Sequence, residues 1–492
     1  MITRSTAVAG VALAAAACAP DSGSDSASSN AIDTSGLGDG PPAVIDPSTI
    51  PRGEVIDFGT APDVPDGPLS EEVAAAVALL YGQPIESLID DAQRDALATI
   101  GASGDPRLAW LISDHIRVYI ELASRTIRTQ GLPPDGFIEI SGLIEATAGQ
   151  LTGLQFTELG AWNPLTSALI AWDIPAPPDY LAGKRNIYTP IEPAWEALMT
   201  DNSVLDWRIV SWGGVLIDNR PFDRTDDPCN CIPAIDNPTV LTAAEATWPA
   251  DDSIVFGVVI NGEARAYPRP IMEVREMVND SLGGRDFAMP YCTLCGAAQV
   301  WFTDDLPNGL ERPVLRTSGL LSRSNKVMYD LNTNSIFDTF RGTADSGPLL
   351  TEEVALNGHT VVTSTWAAWR EEHPNTTVLT QDLALGRDPD FRNTRDADGP
   401  IFPIGDVDPR LAIQEDILGV IQANGTPLAI HVNSAAAALG RGEVVEVGGV
   451  RVISSGDGVA AIDSDGNEIV GHQAFWFAWS QFYPSTELWP DV

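Results

Sequence analysis

Basic residues are scarce in this sequence. The 492-residue chain carries 28 lysines and arginines against 68 aspartates and glutamates, for a formal net charge of −40. Such an acidic surface repels nucleic acid and anionic membranes, so we expect neither as a direct partner. Lysine is the rarest cation, because only Lys184 and Lys326 occur, and we interpret this scarcity as a compositional habit rather than as a site.

Motifs of the common enzyme classes are also missing. The sequence has no nucleophile elbow with a Ser/His/Asp set, no phosphate-binding loop and no dinucleotide fingerprint. Acidic residues are so numerous that no carboxylate pair stands out as an acid and a base. Hydrolase chemistry therefore has no positive support, and whether the protein is an enzyme stays open.

Long hydrophobic runs are absent, and the apolar stretch at 8–17 is too short to span a bilayer. It follows Arg4 and precedes Cys18 and a tail rich in serine and aspartate. This pattern is similar to a bacterial lipoprotein signal with Cys18 as the lipidated residue; a plain signal peptide cleaved near Ala17 is the alternative. Either reading predicts an exported protein, and the first anchors it by lipid to the outer face of a cell-envelope membrane.

We predict an α+β fold, with an N-terminal helical domain followed by a β-rich α+β domain. Ser70 and Asp105 are typical helix N-caps, and Pro106 suits a first helical position. His115 lies on the apolar stripe of the helix after Pro106, where we expect a packed or partner-facing residue rather than a ligand. In chain order the predicted regions are the signal (1–18), a disordered tether (19–68), the helical domain (69–155), a connecting segment (156–204) and the β-rich domain (205–492).

The β-rich domain contains signs of an internal duplication. The segments WAAWREEHPNTTVL (366–379) and WFAWSQFYPSTEL (476–488) align at a constant offset, and a hairpin pattern precedes each of them. The upstream hairpin turns at Asn261-Gly262, a strong turn signal. We expect each half to run from a hairpin to a Trp-rich helix whose rings pack on the sheet. The predicted halves are residues 252–380 and 410–490.

Four cysteines remain after Cys18, and their spacing allows three kinds of chemistry. Cys292 and Cys295 form a C-x-x-C-G turn between apolar runs in MPYCTLCGAAQVWF (289–302), the shape of a metal knuckle. A structural zinc site takes four ligands, and the C-x-C pair Cys229 and Cys231 could supply the other two.

Structural disulfides and redox chemistry are the alternatives to metal binding. Disulfides are expected in an exported protein with an even number of cysteines. A redox dithiol usually sits at a helix N-terminus, where the dipole lowers the thiol pKa, whereas strands are predicted on both sides of this C-x-x-C. This argues against a thioredoxin-like active site.

The residues around these cysteines are similar to a known family. INGEARAYP (260–268), VREMVND (274–280), YCTLCG (291–296) and SGLLSRSNKVMYD (318–330) resemble a bacterial family called domain of unknown function 3179. The resemblance covers roughly residues 205–490, also includes IPAIDNP (232–238), and implies no established activity.

Two positions depart from the pattern that the resemblance implies. Arg275 stands where the family commonly has histidine, and Cys231 stands where it commonly has glycine. An exchange of ligands at one metal centre would explain both changes, and this hypothesis places Cys231 within a few ångströms of Cys292 or Cys295. An unrelated disulfide beside a decayed site is the alternative.

We carry three functional hypotheses forward. The first is an envelope protein that binds zinc or copper through Cys292, Cys295, Cys229 and Cys231, since soft thiolates select these ions. The second is a disulfide-stapled, non-enzymatic binding module whose helical domain and Trp helices recognise a protein partner. The third is thiol–disulfide exchange. Polar residues that could share one pocket with the cysteines, for a small-molecule ligand that the sequence does not name, are Tyr291, Asp236, Asn237, Asn279, Asp280, Arg275, Ser318 and Asn325.

Overall fold

The computed structural model describes residues 40–85, 88–156, 160–224, 227–306, 309–386 and 399–491. The predicted lipoprotein-type signal, with Cys18, lies outside these residues. No helix in the described ranges is long and apolar enough to cross a membrane.

Helices dominate the first half of the described chain, as predicted for residues 69–155, and three further helices lie in the predicted connecting segment, 156–204. Ser70 caps α1, because its Oγ accepts a hydrogen bond from Val73 N. Asp90 forms a capping box with Gln93 at the start of α2. The side chain of Asp105 accepts from Arg107 N in a short 3₁₀ turn that leads into the third helix. The helices of this region are α1 (Glu71–Gly82), α2 (Asp91–Ser103), α3 (Ala109–Gln130), α4 (Phe137–Thr152), α5 (Trp162–Ala171), α6 (Tyr180–Tyr188) and α7 (Trp195–Leu198).

Shorter helices follow between the strands of the second half. They are α8 (Arg269–Arg275), α9 (Gly347–Thr351), α10 (Trp366–Glu372), α11 (Val432–Gly440) and α12 (Trp476–Phe482).

Two of the five sheets in the described residues frame the cysteines. The helix-side sheet has the order β1-β10-β11-β12, with β1 (Val210–Trp212), β10 (Leu315–Ser322), β11 (Asn325–Asp330) and β12 (Ile336–Phe337). The cysteine sheet has the order β13-β9-β7-β6-β2, with β2 (Ile235–Asp236), β6 (Met277–Leu282), β7 (Arg285–Cys292), β9 (Val300–Phe302) and β13 (Gly358–His359), and β8 (Ala297–Ala298) pairs with β7.

The other three sheets belong to the duplicated halves. The first repeat sheet, β14-β4-β5-β15-β3, contains β3 (Val240–Thr242), β4 (Ile254–Ile260), β5 (Glu263–Pro268), β14 (Val362–Thr365) and β15 (Thr377–Leu379). The second repeat sheet, β22-β16-β17-β23, contains β16 (Asp416–Ile421), β17 (Pro427–His431), β22 (Gly471–Phe475) and β23 (Glu487–Trp489). A small sheet, β18-β19-β20-β21, contains β18 (Val445–Val447), β19 (Val450–Ser455), β20 (Gly458–Ile462) and β21 (Glu468–Ile469).

The two repeat sheets have the same topology, which agrees with the predicted duplication. In each, an antiparallel hairpin (β4–β5 or β16–β17) pairs with one strand antiparallel and, after a Trp helix, with another strand parallel. The sequence between the hairpin and the Trp helix differs, because only the first half inserts the cysteine sheet there.

The tryptophan rings of both Trp helices are buried, as predicted. Trp369 is 1% exposed and its Nε1 donates to Thr376 Oγ1 at 3.0 Å; Trp479 is 1% exposed and donates to Thr486 Oγ1 at 2.9 Å. Each ring lies over a glycine of the central strand, so that a Cβ added to Gly419 would stand 2.2 Å from Trp479. These rings face the sheets and offer no surface to a partner.

Part of the predicted tether packs against the second half instead of running free. Ala43 N donates to Val444 O at 2.8 Å, and Ala412 N donates to Pro51 O at 2.9 Å. Ile50 is 5% exposed within a hydrophobic cluster. Composition could not predict this contact, because it reports only the low hydrophobicity of the segment. The backbone hydrogen bonds that hold the segment form with residues distant in the chain.

The helical region and the helix-side sheet share one hydrophobic core. That core contains Trp110 and Ile112 of α3 together with Trp212 and Leu320 of the sheet. Arg117 of α3 also donates from Nε to Trp212 O at 2.6 Å. The helices therefore support the sheet that forms one wall of the cysteine site.

Candidate functional site: a buried dithiol

The C-x-x-C segment lies in a tight turn at the end of β7. Residues 293–295 form a 3₁₀ turn, and Gly296 has a φ of 62°, a left-handed conformation that favours glycine. The chain then returns as β8, in which Ala297 pairs with Cys292. The predicted hairpin is confirmed, and its strands flank the two cysteines on both sides.

The turn is buried between the cysteine sheet and the second repeat. Cys292 and Cys295 are 3% and 0% exposed and share a hydrophobic cluster with Trp476, Trp479 and Ile417. Their Sγ atoms are 2.8 Å apart, and both thiols are free. Cys295 Sγ also lies 3.3 Å from Asn325 Oδ1, an acceptor that favours a protonated thiol at this position.

A buried ion pair stands beside the dithiol. Lys326 of β11 is 4% exposed, and its Nζ lies 3.0 Å from Glu276 Oε2 and donates to the Glu276 carbonyl oxygen. The other carboxylate oxygen of Glu276 accepts from Thr293 Oγ1, within the C-x-x-C, at 3.0 Å. A chain of polar contacts therefore joins the lysine to the cysteine turn through the glutamate.

Glu276 is held in an uncommon backbone conformation. Its φ is 53°, at the point where α8 ends and β6 begins. A non-glycine residue in this region carries a conformational cost, which the surrounding contacts must offset. The contacts of Glu276 with Lys326, Thr293 and the backbone N–H of Tyr291 supply that compensation.

The two thiols have opposite protonation tendencies. Burial alone would raise the pKa of Cys292, but the hydrogen bond from Cys295 and the backbone N–H and ammonium of Lys326 bring this pKa below its usual value, against the opposing charge of Glu276. Burial and the hydrogen bond to Cys292 raise the pKa of Cys295 well above its usual value. Of the two thiols, Cys292 therefore ionises more readily and Cys295 keeps its proton more readily.

A cavity of about 120 Å³ opens in front of Cys292. Cys292 lines it, whereas Cys295 does not, so a molecule in the cavity meets Cys292 first. Its polar side chains are Glu276, Thr293, Thr317 and Lys326. A second cavity of about 210 Å³ lies on the other side of Lys326 and Val327, which line both.

Cys229 and Cys231 are placed elsewhere and are bonded to each other as a disulfide. They stand near the buried Asp218, and the group Asp218, Cys229 and Cys231 is the only set of three His, Cys, Asp or Glu ligands within 4.8 Å of one another in the described ranges. This Cys/Asp group could hold a metal ion. The carboxylate is already bound by Arg220, whose Nε and Nη2 lie 2.7 Å from its two oxygens.

The predicted four-sulfur centre is therefore not formed. The hypothesis that Cys231 replaces a lost ligand beside Cys292 or Cys295 is wrong, because Cys231 bonds to Cys229 and pairs through its backbone with Leu216. The alternative of an added disulfide, apart from the C-x-x-C, agrees with the structure.

Of the eight predicted pocket residues, Asn325 has a side chain within hydrogen-bond distance of a cysteine. Asp236 accepts from Arg316 and Asn279, Asp280 accepts from Arg265 and Tyr267, and Asn237 donates to Asp223. Ser318 donates to Val327 O, Arg275 donates to Leu383 O, and Tyr291 packs on Phe256. These contacts build the sheets around the site.

Sequence reasoning missed the two residues closest to the chemistry, Glu276 and Lys326. The scarcity of lysine was the available signal: both lysines of the chain are buried, Lys184 against Asp114 at 2.7 Å and Lys326 against Glu276. Because both lysines are buried beside a carboxylate, the interpretation of their scarcity as a compositional habit was incomplete.

The comparisons with known proteins agree with the resemblance seen in the sequence. Residues 229–463 match the family model described as protein of unknown function, DUF3179. This segment, slightly less than half of the chain, is similar to that family. The match includes both cysteine pairs but stops before β22 and α12, which the structure shows to complete the second repeat. No curated protein and no solved structure matches the chain.

The charges around Cys292 predict opposite effects for two substitutions. We expect Lys326→Met to raise the apparent pKa of Cys292, because a cation is removed, and Glu276→Gln to lower it, because an anion is removed. The measurement is the rate of iodoacetamide alkylation of Cys292 against pH, followed by peptide mass spectrometry. Lys326→Arg, which keeps the charge, is the control, and equal shifts in one direction for both variants would contradict the assignment.

Proposed function

We propose that the protein is a thiol–disulfide redox protein of the cell envelope, with Cys292 as the attacking thiolate and Cys295 as the resolving thiol. The observation that carries this proposal is the asymmetric pair of sulfurs, 2.8 Å apart, with only the low-pKa member at the cavity. A disulfide bond is about 2.05 Å long, so a small movement of the sulfurs closes it.

The exchange reaction follows from these roles. The Cys292 thiolate attacks one sulfur of an oxidised partner, and the other sulfur leaves as a thiolate. Cys295 then loses its proton and attacks Cys292, which releases the partner as a dithiol or two thiols and leaves the Cys292–Cys295 disulfide. Two electrons pass from the protein to the partner.

A zinc ion fits this pair poorly. Thiolates at a tetrahedral zinc stand about 3.8 Å apart, since each Zn–S bond is about 2.3 Å. The buried ammonium of Lys326 opposes a cation here, and neither thiol has a third ligand of the His, Cys, Asp or Glu type grouped with the pair among the described residues. The geometry favours electron exchange over metal binding at Cys292 and Cys295.

Reversible oxidation of the native protein tests the proposal. We expect a mild small-molecule oxidant such as diamide to remove two hydrogens from the peptide that contains Cys292 and Cys295, and dithiothreitol to restore them, with no change in fold. Quantification is by differential alkylation and mass spectrometry. The proposal fails if this pair reacts only after the protein is unfolded.

Metal binding at Asp218, Cys229 and Cys231 is a second candidate function, supported by the closeness of these three ligands. Reduction of the disulfide would supply two thiolates that suit zinc or cuprous copper. We expect the reduced protein to bind about one equivalent of zinc in a chelator competition, and Cys231→Ala, but not Cys295→Ala, to abolish it. Absence of uptake after reduction would exclude this site.

A further inference from the structure

The cavity in front of Cys292 limits the size of the molecule that the thiolate can meet. Its volume of about 120 Å³ is smaller than the roughly 150 Å³ of an engineered protein cavity that holds benzene. Cys292 is 3% exposed, so a folded partner cannot bring its own sulfur to it without opening the structure. The oxidant that fits is a small molecule of about the size of benzene or less.

The wall of the cavity sets the polarity of that molecule. Most of the lining is apolar or backbone, from Gly213, Val215, Leu294, Leu320, Leu321 and Phe402. The polar side chains of the lining are Glu276, Thr293, Thr317 and Lys326, and Glu276 contacts both Lys326 and Thr293 of the cysteine turn. A ligand with an apolar body and a polar reacting end matches a lining that is mostly apolar and has an ion pair beside the cysteine turn.

Lys326 favours those small oxidants whose leaving group needs a proton. A thiolate leaving group, as in disulfide exchange, departs without a proton donor near neutral pH. An oxygen leaving group is much more basic and needs a proton from a positioned acid. Lys326 is a buried ammonium that favours the Cys292 thiolate and is held by Glu276, so nucleophile and proton donor line the same cavity.

We propose that the oxidant of the dithiol is a small hydroperoxide with an apolar substituent; this rests on the proposed redox function. The Cys292 thiolate attacks the outer peroxide oxygen, the O–O bond breaks, and Lys326 gives a proton to the departing alkoxide, which forms an alcohol and a Cys292 sulfenic acid. Cys295 attacks that sulfur, and water leaves as the Cys292–Cys295 disulfide forms. An external dithiol returns the protein to its starting state, and Lys326 regains its proton from solvent.

Rates with defined oxidants test this assignment in the full-length protein. We expect tert-butyl hydroperoxide to oxidise the pair at least about 100-fold faster than oxidised glutathione or tetramethylbenzoquinone, in line with the usual contribution of general acid catalysis. Cys295→Ser should accumulate the sulfenic acid, detected as its dimedone adduct. Val215→Phe, which narrows the cavity, should slow tert-butyl hydroperoxide more than hydrogen peroxide.

A second comparison isolates the proton donor. At neutral pH, the ratio of the hydroperoxide rate to the iodoacetamide rate cancels the degree of Cys292 ionisation, and Lys326→Met should lower this ratio by about 100-fold, because iodide leaves without a proton whereas an alkoxide needs one. If hydroperoxides are no faster than glutathione disulfide or the quinone, or if both rates fall equally in Lys326→Met, the hydroperoxide assignment is overturned while the redox function stands. If no oxidant cycles the pair, the redox function itself fails.

Discussion

Replacing Cys292 with serine is expected to abolish oxidation of the dithiol, whereas replacing Cys295 is expected to leave a reactive but unresolved thiol. The difference follows from the site, since Cys292 lines the cavity and has the lowered pKa while Cys295 is enclosed and has the raised one. We expect the alkylation rate of the native protein to fall by about 100-fold or more in Cys292→Ser, in line with the low nucleophilicity of a protonated, enclosed thiol. Cys295→Ser should retain most of the rate and trap a mixed disulfide with a small thiol.

The disulfide pair provides the matched control for this experiment. The double variant Cys229→Ser with Cys231→Ser removes two sulfurs that are bonded to each other and take no part in the proposed chemistry of Cys292 and Cys295. This double variant should alkylate at the wild-type rate at Cys292. Equal loss of reactivity in Cys292→Ser and Cys295→Ser, or loss in the control, would contradict the roles assigned here.

Truncation of Trp479 is expected to give a large loss of stability. Its ring is 1% exposed, covers Gly419 and donates to Thr486 Oγ1 at 2.9 Å. We expect Trp479→Ala to lower the free energy of unfolding by about 3–5 kcal/mol, the usual cost of deleting a buried aromatic side chain. Urea unfolding followed by tryptophan fluorescence and circular dichroism measures it.

Three further substitutions test the same prediction. Trp369→Ala removes the equivalent ring of the first repeat and should cost a similar amount. Gly419→Ala should also destabilise, because its Cβ would stand 2.2 Å from the Trp479 ring. Trp172, only half-buried, should tolerate alanine with a smaller loss. A similar loss in the free energy of unfolding for Trp172→Ala and Trp479→Ala would contradict the stabilising role assigned to the rings of the Trp helices.

Local signals in the sequence were sufficient for much of the fold. The Asn261-Gly262 turn joins β4 and β5, and the paired Trp segments form equivalent helices on equivalent sheets. Both features depend on residues close in sequence, whose geometry short-range rules describe. The association of residues 40–53 with the second repeat depends on distant backbone partners, and no local pattern reports it.

The candidate site was predictable only in part, for the same reason. The C-x-x-C-G motif located Cys292, Cys295 and the glycine turn. Glu276, between α8 and β6, and Lys326, on β11, meet that turn only in three dimensions. The sequence predicts strands rather than a helix N-terminus beside the C-x-x-C, which disfavours redox chemistry. The strands are present as predicted, yet the hydrogen bond with Cys295 and the backbone N–H and ammonium of Lys326 lower the pKa of Cys292.

A redox titration of the native protein is the most direct test of the proposed chemistry. The protein is equilibrated in dithiothreitol buffers of graded potential, trapped by alkylation and read at the peptide that contains Cys292 and Cys295. We expect one reversible transition with the slope of a two-electron couple, a tenfold change in the ratio of disulfide to dithiol for about every 30 mV. A pair that stays reduced across the whole range, or that is protected by a bound metal ion, would contradict the assignment of this dithiol as the redox centre.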